Sequence, residues 1–96
     1  MDIPATWSLE SSGEAITREC RFADFGAAFA FMAEMALFSE RIGHHPEWSN
    51  VYNRVSIRMT THDAGGLSPL DIQWAHEADR VLGRQAQAAA GGDRVG

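Results

Sequence analysis

The chain has 96 residues, 45% of them hydrophobic, and a formal net charge of −5. That length predicts one domain, residues 1–96, with a limited share of its surface buried, so self-association is an expected source of further stability. The acidic balance argues against direct nucleic-acid binding, which calls for a basic face. No apolar run reaches the roughly 18 residues that cross a membrane, and Met1-Asp2-Ile3-Pro4 lacks the basic-then-apolar layout of a secretion signal. A cytoplasmic protein is expected. The single cysteine, Cys20, rules out an intrachain disulfide and reads as a small buried hydrophobe.

The ordered core is expected over about residues 6–84. Residues 6–10 alternate, with Trp7 and Leu9 on one side. Ser11-Ser12-Gly13-Glu14 is a turn signal. Residues 15–22 alternate again, with Ile16, Cys20 and Phe22 on one parity and Arg18 interrupting it. Two such runs around a short glycine-containing loop predict an antiparallel hairpin with one wet face.

Asp24 is a candidate N-cap for a helix over 25–41. Phe25, Ala28, Phe29, Met32 and Ala36 form one apolar stripe, and Phe31, Met35 and Phe38 a second. Together they are wider than the roughly 100° that one core contact needs. One stripe should face the sheet and the other a second subunit. Gly43 should end this helix.

His44-His45-Pro46 follows. A residue before proline is driven into extended geometry, so His45 belongs to a loop or a strand entry. Residues 48–62 read as strand, with Val51, Val55, Ile57 and Met59 on one parity. A straight strand would hold His44 and His45 far from His62. A reversal near Tyr52-Asn53 is therefore expected if the three rings share a cleft. Ala64-Gly65-Gly66 is a flexible connection. Ser68-Pro69-Leu70-Asp71 has the form of a helix start, with Ser68 as N-cap and Pro69 at the first helical position. Asp71 can cap the helix amides, orient a histidine, or do both. The second helix is expected over 69–83, with Leu70, Trp74, Ala78 and Val81 on one face and His76 exposed. Residues 86–96 turn to Ala, Gln and Gly, and fraying is expected there.

With residues 48–62 split into two strands, the fold class is α+β: a four-stranded antiparallel sheet with the helices on one face, in the order β-β-α-β-β-α. Three of the four histidines, His44, His45 and His62, lie between Glu40 and Asp71. Imidazole is the side chain that gives and takes protons near neutrality, so a reaction needing one proton delivered and one removed can run on such a pair without a cofactor.

The positions Glu40, His44-His45-Pro46, Tyr52, His62 and Asp71, with the intervals between them, resemble the signature of the pterin-4a-carbinolamine dehydratases. In mammals that enzyme is also known as the dimerization cofactor of a homeodomain transcription factor. Phe22-Ala23-Asp24-Phe25, Pro46-Glu47-Trp48, Asn50-Val51-Tyr52-Asn53 and Ala64-Gly65-Gly66-Leu67-Ser68 are similar to the family as well, so the likeness covers roughly residues 7–82. The split of residues 48–62 into two strands is implied by this resemblance. Members carry a helix before the first strand. Only six residues precede Trp7 here, so that helix is expected to be absent.

The resemblance implies dehydration of a 4a-hydroxytetrahydropterin to the quinonoid dihydropterin and water, recycling the pterin of aromatic amino-acid hydroxylases. The pterin is substrate, and no cofactor or metal is implied. It assigns His44 and His62 to proton transfer and His45 chiefly to holding the pterin. His44, His45, Pro46, Thr61, His62 and Asp63 line the site, with Trp48 as a candidate apolar wall. Glu40 and Asp71 orient. A homodimer or homotetramer is implied. Three rival readings stand beside this one: a metal site from His44, His45, His62 and Asp63 or Asp71; a dimerization or regulatory module with a protein partner on the wide helix face; and a role in another pterin pathway such as that of molybdopterin.

Overall fold

The computed structural model describes the backbone of residues 1–91 and the side chains through residue 86. The elements run β1 (Ser8–Leu9), β2 (Ile16–Arg21), α1 (Phe25–Ile42), β3 (Glu47–Val51), β4 (Arg54–Met59), a single 3-10 turn (His62–Ala64) and α2 (Pro69–Gly91). The sheet is antiparallel throughout, in the order β1-β2-β4-β3. This is the α+β arrangement expected from the sequence.

The reversal at Tyr52-Asn53 organises the rest. Val51 pairs with Arg54, so two residues make the turn. Tyr52 takes a left-handed conformation, φ +52°, which is uncommon for a residue other than glycine. Its neighbours stabilise it. The Asn50 amide donates to the carbonyls of Tyr52 and Arg54, and the Asn53 amide donates to Phe22 O at the end of β2.

A two-residue turn also inverts parity between the strands it joins. Even positions of β3 share a face with odd positions of β4: Trp48 lies opposite Ile57, and Asn50 opposite Val55. Val51 was grouped with Val55, Ile57 and Met59 from their common parity. It lies instead on the polar face and is exposed, while the other three are buried. The polar face carries Thr17, Glu19, Glu47, Ser49, Ser56 and Arg58. There Arg58 donates to Glu10 and to Glu47, and its hydrogen bonds hold the Glu10 carboxyl below its ordinary range.

Both helices cover the opposite face. The core gathers Ile16, Cys20, Val55, Ile57 and Met59 from the sheet, Ala28, Phe31 and Met35 from α1, and Trp74, Ala75, Ala78 and Val81 from α2. Burial pushes the Cys20 thiol up to about 11, which suits the role of inert core residue. Of the two α1 stripes, the one with Phe31 and Met35 faces the core, continued by Ala28 and Ser39. Phe25 and Phe29 face outward, their rings 6.0 Å apart. Trp7 is buried as expected, whereas Leu9, at the sheet edge, is exposed.

Asp24 caps α1 by accepting from Ala27 N at 2.8 Å, a contact typically worth about 1 kcal/mol. Gly43 closes the helix with φ +67°, and the N–H groups of Gly43 and His44 both donate to Ser39 O. Arg18, the charge on the inner face of β2, is paired with Asp79 of α2. Asp79 also accepts from Thr6 Oγ1 and Trp7 Nε1, which ties the first residues to α2. The segment before β1 forms a turn, Trp7 N to Pro4 O, and no helix. α2 continues to Gly91 rather than ending near residue 83, because the alanine-rich sequence after Gly83 has high helix propensity. Residues 92–96 of the expected frayed tail lie outside the described residues.

Candidate functional site

The β3–β4 hairpin returns the chain to where it left α1. The loop His44-His45-Pro46 precedes β3, and Thr60-Thr61-His62-Asp63 follows β4, so both lie at the same end of the sheet. A cleft of about 300 Å³ opens between them, lined by Gly43, His44, His45, Thr60, Thr61, His62 and Asp63. His62 was read as a strand end. The strand stops at Met59, and His62 opens the 3-10 turn instead. That turn is held by paired backbone bonds between Thr61 and Gly66, and by Gly65 in a left-handed conformation. Thr60 Oγ1 donates to Glu14 O and fixes the loop against the first hairpin.

Each of the three imidazoles has its own carboxylate. His44 is buried at the cleft, and its Nε2 lies 2.6 Å from Oδ1 of Asp71, which is fully buried. His45 Nε2 lies 2.7 Å from Glu40 Oε2, reaching back to the last turn of α1, and 59% of the His45 side chain is exposed. His62 Nε2 lies 3.5 Å from Glu47 Oε2, with 85% of its side chain exposed. The second oxygen of Glu47 is held by Arg58 at 2.9 Å, the residue opposite it across the hairpin. A carboxylate on one ring nitrogen sets the orientation of an imidazole and leaves the other nitrogen for chemistry.

Asp71 does two things at once. Its Oδ2 accepts from Ser68 N at 3.0 Å and from Thr61 Oγ1 at 2.7 Å. Ser68 Oγ in turn accepts from Leu70 N at 3.2 Å. Ser68 and Asp71 thus form the reciprocal capping box at the start of α2, and the oxygen of Asp71 left over holds His44.

The other residues expected at the site divide. Thr61 and Asp63 line the cleft, and Pro46 and Trp48 do not. Trp48 is partly buried and packs against the core, edge-on to Trp74 at 6.0 Å. The spacing missed Glu47, because its link to His62 depends on hairpin register. It read Ser68 only as a cap, because Thr61, the other partner of its hydroxyl, is brought to it only by the Thr61–Gly66 turn within the same β4–α2 connection. Among the described residues, no group of three or more His, Cys, Asp or Glu side chains is placed to hold a metal ion.

The sequence matches the family Pterin 4 alpha carbinolamine dehydratase over residues 2–81. A curated relative from Bordetella avium is 49% identical over 86 residues, covering 90% of this chain and 77% of its own. One from Rhizorhabdus wittichii is 53% identical over 81 residues, covering 84% of each. Both bear the name "Putative pterin-4-alpha-carbinolamine dehydratase". Among solved structures, the crystal structure of a transcriptional coactivator/pterin dehydratase from Brucella melitensis superposes with a TM-score of 0.78 at 44% identity, over 80% of this chain and 82% of that one. On the match over residues 2–81 and on relatives about half identical over most of their length, this chain belongs to the pterin 4 alpha carbinolamine dehydratase family.

Proposed function

We propose that the protein dehydrates a 4a-hydroxytetrahydropterin to the quinonoid dihydropterin, without metal or cofactor. The observation that carries this reading is one cleft lined by three imidazoles, two hydrogen-bonded to separate carboxylates and the third 3.5 Å from a third. In the reaction the C4a–O bond breaks and a C4a=N5 double bond forms. One proton is removed from N5 and one is delivered to the departing hydroxyl, so a base and an acid are needed and the protons balance. His45 and His62 fit these two roles. Both rings are largely exposed and can exchange protons with water between turnovers. The resemblance assigned His44 to proton transfer with His62. Burial and the bond to Asp71 favour His44 as the fixed contact that holds the pterin, and His45 as the second proton carrier. Glu40 and Glu47 orient the two carriers.

The test is stopped-flow decay of a 4a-hydroxytetrahydropterin with purified protein and a chelator. The wild type should accelerate the decay, and His62→Ala should lower that acceleration by about 10²- to 10⁴-fold, the usual worth of one acid–base group. Failure of well-folded wild-type protein to accelerate the decay would remove this reading.

A homo-oligomer is part of the same proposal. The outer stripe of α1 leaves Phe29 58% exposed and Leu37 65% exposed, with Phe25 beside them. An apolar stripe of that kind on a short chain is best covered by a second copy. Phe29→Glu should lower the mass seen by sedimentation and leave the fold intact. A wild-type protein that sediments as a monomer would exclude the oligomer.

A further inference from the structure

The hydrogen atoms around Asp71 can be counted one by one. Thr61 Oγ1 lies 2.7 Å from Asp71 Oδ2 and 2.7 Å from Ser68 Oγ. A carboxylate only accepts, so the Thr61 hydroxyl gives its single hydrogen to Asp71. The bond between the two hydroxyls must then be donated by Ser68. Ser68 Oγ in turn accepts from Leu70 N. The chain of donors runs one way: Leu70 N–H to Ser68, Ser68 O–H to Thr61, Thr61 O–H to Asp71 Oδ2. Ser68 N–H supplies a second bond to the same oxygen. Oδ2 has two donors, and among the described residues Oδ1 meets only His44 Nε2, at 2.6 Å.

One hydrogen must lie between Oδ1 and Nε2. A carboxylate is much less basic than imidazole. This one also receives two donors on its other oxygen, in the first turn of α2, where the helix dipole favours negative charge. The hydrogen therefore resides on Nε2. We infer that Thr61 and Ser68 are positioning residues which, acting through Asp71, hold neutral His44 as the Nε2–H tautomer and leave Nδ1 bare for the substrate.

Two consequences separate this from a plain helix cap. The Thr61 hydroxyl spends its single hydrogen on Asp71 and accepts from Ser68, with His44 Nε2 a further 3.5 Å away, so it has no hydrogen left for a ligand although Thr61 lines the cleft. A bare Nδ1 accepts, so it selects a substrate edge that carries N–H groups, as a pterin ring does. This second consequence rests on the dehydratase reading, whereas the tautomer does not.

The experiment is a long-range ¹H–¹⁵N correlation on uniformly labelled protein, at a pH where His44 is neutral. The wild type should show Nε2 protonated and Nδ1 bare. A wild-type His44 protonated at Nδ1 overturns the inference, whatever the variants do. In Asp71→Asn the amide oxygen should stay on the side of its two donors, Thr61 O–H and Ser68 N–H. The amide N–H then faces Nε2, and the tautomer should reverse to Nδ1–H. A folded Asp71→Asn protein with an unreversed ring overturns the directing role of Thr61 and Ser68.

Thr61→Val removes one donor and keeps the shape. It should raise KM about fivefold, the worth of one hydrogen bond of about 1 kcal/mol, with kcat within about twofold. Thr61→Ser should restore KM. An unchanged KM in Thr61→Val overturns the role of Thr61. Inactive wild-type protein that still shows the Nε2–H pattern would refute the dehydratase reading and leave the tautomer assignment standing.

Discussion

The double variant His45→Ala/His62→Ala is expected to fold like the wild type and to lose nearly all of its dehydratase activity. The stability half of this expectation follows from exposure. Both rings are largely in water, and neither belongs to the core. Their pairs with Glu40 and Glu47 are surface pairs, a class whose median contribution is about 0–1 kcal/mol. Unfolding midpoints should therefore move little. The activity half follows from the proton balance. In the proposed reaction one ring would serve the departing hydroxyl and the other N5, each contributing about 10²- to 10⁴-fold. Two groups that act on one transition state are not additive. The double variant should sit close to the weaker of the two single variants, between about 10⁻² and 10⁻⁴ of wild-type kcat, not at the product of their losses. Stopped-flow rates of the two singles and the double measure this directly. A double variant that keeps a tenth of wild-type activity would mean that the protons move elsewhere, and His44 would become the group to test.

Trp74→Ala is expected to be the most damaging single change to stability. Trp74 is fully buried where the layers meet. Its ring stands edge-on to Trp7 at 6.2 Å and to Trp48 at 6.0 Å, and its Nε1 donates to Ser39 Oγ at 2.8 Å. One side chain thus joins the N-terminal segment, β3, α1 and α2. Truncating a buried Trp to Ala costs about 3–5 kcal/mol, from lost transfer free energy and the cavity left behind. Small domains have only about 5–15 kcal/mol in total. Urea unfolding at fixed protein concentration should show a large drop in midpoint with little change in slope. A loss under about 1 kcal/mol would show that the neighbours collapse into the space. The damage should reach the site as well, because Trp74 lies one helical turn from Asp71 on the same buried face of α2. Trp74→Phe, which keeps most of the volume, should retain both fold and His44 geometry.

The local signals of this chain were legible because their partners lie within a few residues. Asp24 accepts from Ala27, Gly43 donates to Ser39, and Ser68 pairs with Asp71. Each is a cap whose residue type and spacing suffice to identify it. The alternation in β2 and β4 likewise located the buried Ile16, Cys20, Val55, Ile57 and Met59. The side of α1 that turns inward was not legible. Two apolar stripes compete there, and only contact with α2 and the sheet selects Phe31 and Met35 over Phe25 and Phe29. Val51 was misplaced because parity carries across a strand but inverts across a two-residue turn.

What the sequence determined by itself was the class of fold, the helix ends and the residues that could carry acid–base chemistry, since these follow from side-chain type and short spacing. Only the tertiary structure decided which histidine is buried and which carboxylate each one meets. Asp71 reaches His44 across 27 positions, and Glu47 meets His62 only through the register of a hairpin. Such pairings depend on where the Tyr52-Asn53 reversal aims two loops and on how α2 docks beneath them, and short-range spacing does not record them.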